Sequence, residues 1–502
     1  MEKKMQELKT RYREIYDIHS ALSVLSWDQN TYMPPAGTEA RGRQMSTLGH
    51  IAHEKLTDPA VGQLLEDLSG YEKNIPYDSD EAGFLRVVRR QYVNAVRVPP
   101  DFIAAFYNHV AQTYQAWVEA REEDNFAKVE PYLEKTLEYS RQYASYFNGY
   151  EHIADPLIDR ADYGMKASAL KKLFVELRRQ LVPLVEEVTS YPPTDNSCLL
   201  QHFPKEKQIE FGLKVIKKLG FDFERGRQDM APHPFMTKFA HGDVRITTRI
   251  NENQLGEALF SSIHETGHAL YELGIDSHLE GTPLHDGTSA GVHESQSRLW
   301  ENIVGRSYGF WTYFYPQLQE VFPSQLGNVT LDQFYRAINR VERSLIRTDA
   351  DELTYNLHVI IRFDLELAML EGKLAVKDLP EAWRSRYQSD IGIASPDDKN
   401  GVLQDIHWYM DYIGGMFQGY TLGNILSCQF YEAALKACPE IPVQITQGEF
   451  GTLHEWLKDN IYRHGSKFTA EEIIERATGS SLTIEPYMNY LRSKYGELYP
   501  GK

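Results

Sequence analysis

A chain of 502 residues, 42 percent hydrophobic and 25 percent charged, is long enough to bury a large core, or two lobes sharing one, and has an ordinary globular composition. Its formal net charge of −18 argues against nucleic acid as a partner, because phosphate binding needs a basic surface. No run of about 20 apolar residues offers a membrane span, Met1 to Gln6 lead into no apolar signal stretch, and Cys198, Cys428 and Cys438 form no C-x-x-C pair, so a reducing, cytoplasmic setting fits.

In chain order, residues 1–25 read as a helix, with Leu8, Tyr12, Ile15, Tyr16 and Leu22 at helical spacing. Pro34-Pro35-Ala36-Gly37 ends that pattern, and Trp27-Asp28 reads as a core anchor with a capping carboxylate. Residues 80–190 are a succession of helices. Leu133, Leu137, Ser140, Ala144 and Phe147 mark one face, and Leu170, Leu173, Leu177, Leu181 and Leu184 another, with Pro183 expected to kink or interrupt the second helix. Phe235 to Ala240 and Asp243 to Ile250 break the helical style and predict two short strands around His241-Gly242. Such a strand edge can pair with an extended peptide. The plainer reading is a hairpin that packs on the next helix, with Asp243 and Arg245 paired to each other.

That next helix carries His264-Glu265-Thr266-Gly267-His268, the His-Glu-x-x-His pattern of zinc peptidases. Residues i and i+4 share a helical face, so His264 and His268 can meet one metal ion. Zinc lowers the pKa of a bound water from about 15.7 to about 7, and Glu265 stands beside it to take the proton. Leu255, Leu259, Ile263, Leu270 and Leu273 place this helix in the interior, where two imidazoles and a carboxylate need partners. Hydrogen-bonded core histidines are the bland alternative. A catalytic zinc usually has three protein ligands and one open position. After a loop through Gly274, Gly281, Pro283 and Gly287, a return helix begins near Gly291 and can bring Glu294 beside His268, with Glu272, Asp276, His285 and His293 as rivals.

Residues 330–375 return to helix, with Leu345, Leu353, Leu357 and Ile361 on one face and Arg347 and Asp351 as i, i+4 partners. Residues 395–424 read as loop-rich, with Tyr420 inside the glycine-rich Gln418-Gly419-Tyr420-Thr421. No repeat of fixed period is evident.

His293-Glu294-Ser295-Gln296 behind the zinc motif resembles the thermostable metallocarboxypeptidases, the carboxypeptidase Taq family. His233-Pro234-Phe235, Asp243-Val244-Arg245-Ile246-Thr247, Ile346 to Asp351 (Ile-Arg-x-x-Ala-Asp), Gly401 to Trp408 (Gly-x-x-Gln-Asp-x-His-Trp), Trp27-Asp28-Gln29 and Met33-Pro34 match further motifs of that family, in order and across nearly the whole chain. The resemblance implies a mainly α fold similar to neurolysin and angiotensin-converting enzyme: one domain over 1–502, with two helical lobes around a deep groove, a small β element, and a zinc-binding core near 230–425. It also implies a homodimer, and a carboxypeptidase of broad specificity that is poor on C-terminal proline.

In that reading His264, His268 and Glu294 hold Zn²⁺ (Co²⁺ can substitute) and Glu265 is the general base. Arg347 is the first choice for the substrate's terminal carboxylate, since a guanidinium binds carboxylates bidentately, with Arg245 and Arg298 as runners-up. Tyr420, or else His407, stabilises the oxyanion. Asp243 and His233 join the substrate-binding set. The acidic balance is expected to favour basic peptides over acidic ones. The rival readings are a helical zinc endo-oligopeptidase and a non-catalytic scaffold with a relic metal site. The presence of Glu265 speaks against the relic.

Overall fold

The computed structural model describes residues 1–500. Four helices open the chain: α1 (Glu2–Thr31), α2 (Thr38–Thr57), α3 (Pro59–Glu72) and α4 (Asp80–Arg97). α5 (Pro100–Glu122), α6 (Glu130–Ser145), α7 (Asp155–Ile158), α8 (Ala167–Thr189) and α9 (Lys205–Leu219) lead into a small sheet of β1 (Gly226–Met230), β2 (Met236–Ala240) and β3 (Asp243–Thr248). The helical chain resumes with α10 (Leu255–Gly274), α11 (Ala290–Arg298), α12 (Tyr308–Val321), α13 (Pro323–Leu326), α14 (Leu331–Ile338), α15 (Tyr355–Leu370), α16 (Leu379–Asp390), α17 (His407–Met410) and α18 (Gln418–Ala437). Four further helices, the last at Glu485–Leu498, complete it. The protein is therefore mainly α with one small sheet, as expected.

Two large apolar cores, and a small one beneath the sheet, organise these elements. The first runs from Val98 to Tyr499 and contains the α5, α6 and α8 stripes. The second joins α1, α3 and α4 through Leu8, Ile15, Leu65, Phe84 and Val88, and reaches Ile275, Leu279 and Leu284 after α10. On α8 the buried face is Leu170, Phe174, Leu177, Leu181 and Val185, while the expected Leu173 and Leu184 are only half-buried. Pro183 lies within α8 without ending it.

The sheet order is β1-β3-β2, with β1 parallel and β2 antiparallel to β3. The hairpin is as expected. β1 is an additional strand, because its residues Gly-Arg-Gln-Asp-Met carry no β-branched or aromatic signal. Val244 and Ile246 alternate inward from β3 onto Ala269 and Leu273 of α10. Arg245 points the other way and lies over the rings of Trp27 and Phe239, at 4.4 and 4.8 Å from their centroids. Asp28 is not a cap. It accepts a hydrogen bond from Arg41 of α2 at 2.6 Å.

α10 and α11 approach closely enough to share a metal because their contact faces are small. A Cβ on Gly267 would lie 2.6 Å from the backbone oxygen of Gln296 and 2.6 Å from Ser297 Cα. On the other side, a Cβ on Gly423 of α18 would lie 2.4 Å from Glu294 Cγ. α11 is thus seated between two glycine-lined helices. Its start is held by the Ser289 hydroxyl, which caps Val292 N–H, and by buried Asp162, which accepts from Gly291 N–H at 2.7 Å.

Candidate metal centre and substrate pocket

Glu294 Oε2 lies 3.6 Å from His264 Nε2 and 3.3 Å from His268 Nε2. A tetrahedral ion with bonds of about 2.0–2.1 Å has ligand-to-ligand edges of about 3.4 Å, so the spacing fits. Among the described residues, His264, His268 and Glu294 are the group of metal-binding type brought within 4.8 Å of one another. The rivals Glu272, Asp276, His285 and His293 are outside it.

The remaining nitrogens explain why the Nε2 atoms converge. His264 Nδ1 is 2.8 Å from Glu301 Oε2, so that Nδ1 carries the proton and donates. His268 Nδ1 is 2.6 Å from His293 Nδ1, and His293 Nε2 is 2.9 Å from Glu272 Oε1. If His268 donates at Nδ1, then His293 accepts there and carries its own proton on Nε2, toward Glu272. Lys238 of β2 closes the row on Glu272 Oε2 at 2.5 Å. Two of the rival ligands, His293 and Glu272, therefore orient the imidazole of His268 instead.

Glu301 sits in a π-type turn, Leu299–Val304, that continues α11. The wider turn is a common device at functional sites, and here it brings Glu301 to α10. Glu301→Gln should leave the fold intact but weaken metal affinity by about 10–100-fold. Titration with a competing chelator measures this, and an unchanged dissociation constant would remove Glu301 from the site.

The electrostatics suit a cation. Burial lowers the His268 pKa to about 4, which leaves it neutral with a free lone pair at neutral pH. Burial acts the same way on His264, but Glu294 and Glu301 outweigh it and raise its pKa, so a proton and a cation compete for Nε2. Burial alone would raise the Glu294 carboxyl, yet Arg298 and His264 pull it well below the ordinary range. Glu265 is buried, forms no hydrogen bond among the described residues, and is pushed up by burial to about 7. A carboxylate of that basicity beside the ligands suits general-base work.

A second cluster adjoins the C-terminal end of α11. Arg298 donates to Glu294 Oε1 at 2.7 Å and lies 4.6 Å from the Tyr355 ring centroid. Arg347 donates to the Tyr355 hydroxyl at 2.9 Å, and through Nε and Nη2 to Asp405 at 2.6 and 3.3 Å. Arg347 does not sit on a long helix. Residues between α14 and α15 are irregular, with a 3-10 turn at Arg347–Asp349. Nor does Asp351 touch it. Asp351 accepts from Glu342, Leu353 and Thr354 N–H and folds that connection.

Arg347 is instead held by a distant segment. Gln404 Oε1 accepts from its N–H at 3.0 Å, and Asp405 takes its guanidinium. Asp405 also accepts from fully buried Arg362 at 3.0 Å and lies 2.5 Å from His407 Nδ1. Burial would raise the Asp405 carboxyl, but Arg362, His407 and Arg347 hold it well below the usual range.

His407 Nε2 reaches the Tyr420 hydroxyl at 3.2 Å. Tyr420 lies in the first turn of α18, not in a loop; the glycines around it permit helix packing, as Gly419 and Gly423 show. Arg347 is 5.2 Å from the Tyr420 ring centroid. Arg347, His407 and Tyr420 are thus brought together beside the metal ligands. Asp405, from the Gly401–Trp408 motif, adjoins them together with Tyr355, Arg362 and Glu301, and nothing in the local spacing of these last three announced them.

Asp243 and Arg245 pair with each other at 2.8 Å on β3, and His233 is exposed in the segment before β2. Neither His233, Asp243 nor Arg245 hydrogen-bonds to the metal-ligand cluster among the described residues.

A family model described as carboxypeptidase Taq (M32) metallopeptidase matches residues 7–495. The chain is 39% identical to thermostable carboxypeptidase 1 of Thermus thermophilus, over 98% of each chain. It is 36% identical to carboxypeptidase 1 of Bacillus subtilis, over 98% of this chain and 99% of that one. Among solved structures, the M32 carboxypeptidase of Deinococcus radiodurans superposes with a TM-score of 0.97 at 48% identity, covering 99% of this chain and 100% of that one. The Pyrococcus furiosus carboxypeptidase gives 0.95 at 35% identity, covering 98% and 99%.

Proposed function

Given that the chain belongs to the carboxypeptidase Taq family of metallopeptidases, we propose that it removes single residues from the C-terminus of peptides, with broad specificity and poor action on C-terminal proline. The observation that carries this is the junction of two clusters across α11, metal ligands on one side and Arg347 on the other.

His264, His268 and Glu294 would hold Zn²⁺, or Co²⁺ in its place, since two imidazoles and one carboxylate are a zinc donor set. The ion supplies Lewis acidity and lowers the pKa of water. Glu265 takes the proton of the attacking water and returns it to the leaving amine. Arg347 reads the terminal carboxylate. Three of its five N–H groups are engaged by Asp405 and Tyr355, leaving one on each terminal nitrogen for a bidentate grip. Arg347 and Arg362 share the single carboxylate of Asp405, so one positive charge stays uncompensated for the substrate. The Tyr420 hydroxyl, oriented by His407, donates to the developing oxyanion.

Arg298 is committed to Glu294 and Glu301, and Arg245 to Asp243, which supports Arg347 over both. Asp243 and Arg245 on β3, and His233 in the segment before β2, are proposed to act along the substrate's path. Among the described residues, no helix is long and apolar enough to cross a membrane. Three free cysteines support a reducing cytoplasm, and a homodimer is the proposed assembly.

Removing the metal with a chelator should abolish hydrolysis, and zinc or cobalt should restore it. Products resolved in time should show free amino acids before any internal fragment. Internal fragments appearing first would favour the endo-oligopeptidase instead, and full activity in metal-free protein would end the metallopeptidase reading.

A further inference from the structure

A recess of about 470 Å³ lies between α4 and a wall formed by Tyr150, Tyr163 and residues 466–469. α4 presents Arg86, Arg90 and Arg97 to it. Spacings of four and seven keep the three on one helical stripe, about 6 and 10.5 Å apart along the axis.

None of the three forms an ion pair among the described residues. Each lies over an aromatic ring: Arg86 over Tyr77 at 3.7 Å, Arg90 over Tyr163 at 4.1 Å, and Arg97 over Phe147 at 5.8 Å. Stacking holds a guanidinium plane in place and leaves its in-plane donors free. Arg86 spends two donors on the backbone oxygens of Tyr77 and Lys467, while Arg90 and Arg97 form no hydrogen bond among the described residues. Burial lowers the pKa of Arg90, and the nearby Tyr163 and Asp159 offset only part of that; the Asp159 carboxylate is taken up by the Tyr150 hydroxyl and Gly164 N–H.

Two carboxylates also line the recess, and Glu472 lies close enough to Arg86 to be lowered by its charge. Glu72 accepts from Arg89 at 2.8 Å, and Glu472 accepts from Thr469 N–H at 2.8 Å at the start of its own helix. In a chain of net charge −18, three arginines that form no ion pair among the described residues, lined up on one stripe, make a local field of opposite sign. Within a Debye length of about 8 Å at physiological salt, that local field outweighs the distant net charge.

The position gives the ligand class. Asp162, next to Tyr163, holds Gly291 N–H, and Thr288 Oγ1 donates to Phe468 O. The wall facing α4 therefore meets the N-terminal end of α11 at two places, beside Tyr163 and at Phe468. Arg347 is linked to its C-terminal end through Arg298 and Tyr355, with Glu294 between. A peptide held by its C-terminus at Arg347 and running back past Glu294 along α11 would bring earlier residues to the arginine stripe. The stripe spans about 16 Å, the length of about five extended residues.

We propose that this recess binds acidic side chains of a peptide substrate, on the N-terminal side of the cleaved bond. The proposal rests on the peptidase reading above and reverses the preference for basic peptides expected from net charge alone.

Two peptides of equal length and identical C-terminal residues, one with glutamates upstream and one with glutamines, test it. The wild type should show a KM about tenfold lower for the glutamate peptide, and the difference should vanish in high salt. In the R90Q/R97Q double variant the gap between the peptides should close, while Arg90→Lys should keep part of it. A thermal melt checks that the variants fold. Fluorescence polarisation with a dye-labelled, C-terminally amidated glutamate peptide reads the same site without turnover. If that peptide binds wild type more tightly than R90Q/R97Q while no peptide is hydrolysed, the recess stands and the peptidase reading fails. Equal binding to both proteins, equal binding of the glutamine peptide, or displacement by inorganic phosphate at the peptide's own concentration would overturn the proposal.

Discussion

Glu265→Gln is expected to keep the fold and the metal but lower kcat by about 10²–10⁴, or about 3–5 kcal/mol in the barrier. The amide matches the carboxylate in shape and cannot accept a proton. Glu265 is a sharp test because it has no structural task to lose. It lies outside the ligand group and forms no hydrogen bond among the described residues, so its buried carboxylate is costly to folding, as the proposed general-base role requires. Metal content by elemental analysis and a thermal melt should match wild type. Turnover at the wild-type rate would remove Glu265 from the general-base role.

Arg347→Ala should lower kcat/KM on free-acid peptides by about 10²–10³, the range expected when one partner of a buried, hydrogen-bonded charge pair is truncated. The site would lose its uncompensated positive charge, because Asp405 would then neutralise Arg362 alone. Metal content should not change, and C-terminally amidated peptides should be poor substrates of both proteins. Arg347→Lys should recover little, since an ammonium cannot satisfy Asp405, the Tyr355 hydroxyl and a substrate carboxylate in one plane. If free-acid hydrolysis barely moves, the carboxylate role of Arg347 is wrong. If the wild type cleaves amidated peptides as fast as free acids, the carboxypeptidase reading itself fails.

Much of the site was legible where chemistry repeats at short range. His264 and His268 one turn apart on an apolar helix point to a metal site by spacing, and the motifs around them strengthen that reading. Glycine and proline between Gly274 and Gly287 announce the turn that returns Glu294. The strands around His241-Gly242 were readable from alternation, whereas β1 was not, since its residues form a strand only because β3 offers an edge.

The rest was decided across the fold. Arg347 and Asp351 at i, i+4 look like a helical pair. The backbone instead leaves the helix between Ile338 and Tyr355, and a segment 58 residues on supplies the carboxylate that holds Arg347. Tyr420 among glycines looks like a loop, but those glycines let α18 press against α11, and the tyrosine starts a helix. By itself the sequence determined the residue types, the helical spacing of the metal pair and the family motifs. Only the tertiary structure decided that His293 and Glu272 orient His268, that Glu301 orients His264, and that Asp405 and Tyr355 aim Arg347. The physical reason is that helical periodicity is a property of neighbours within a turn or two, whereas a buried charge takes whichever partner packing brings within hydrogen-bond reach, at any separation along the chain.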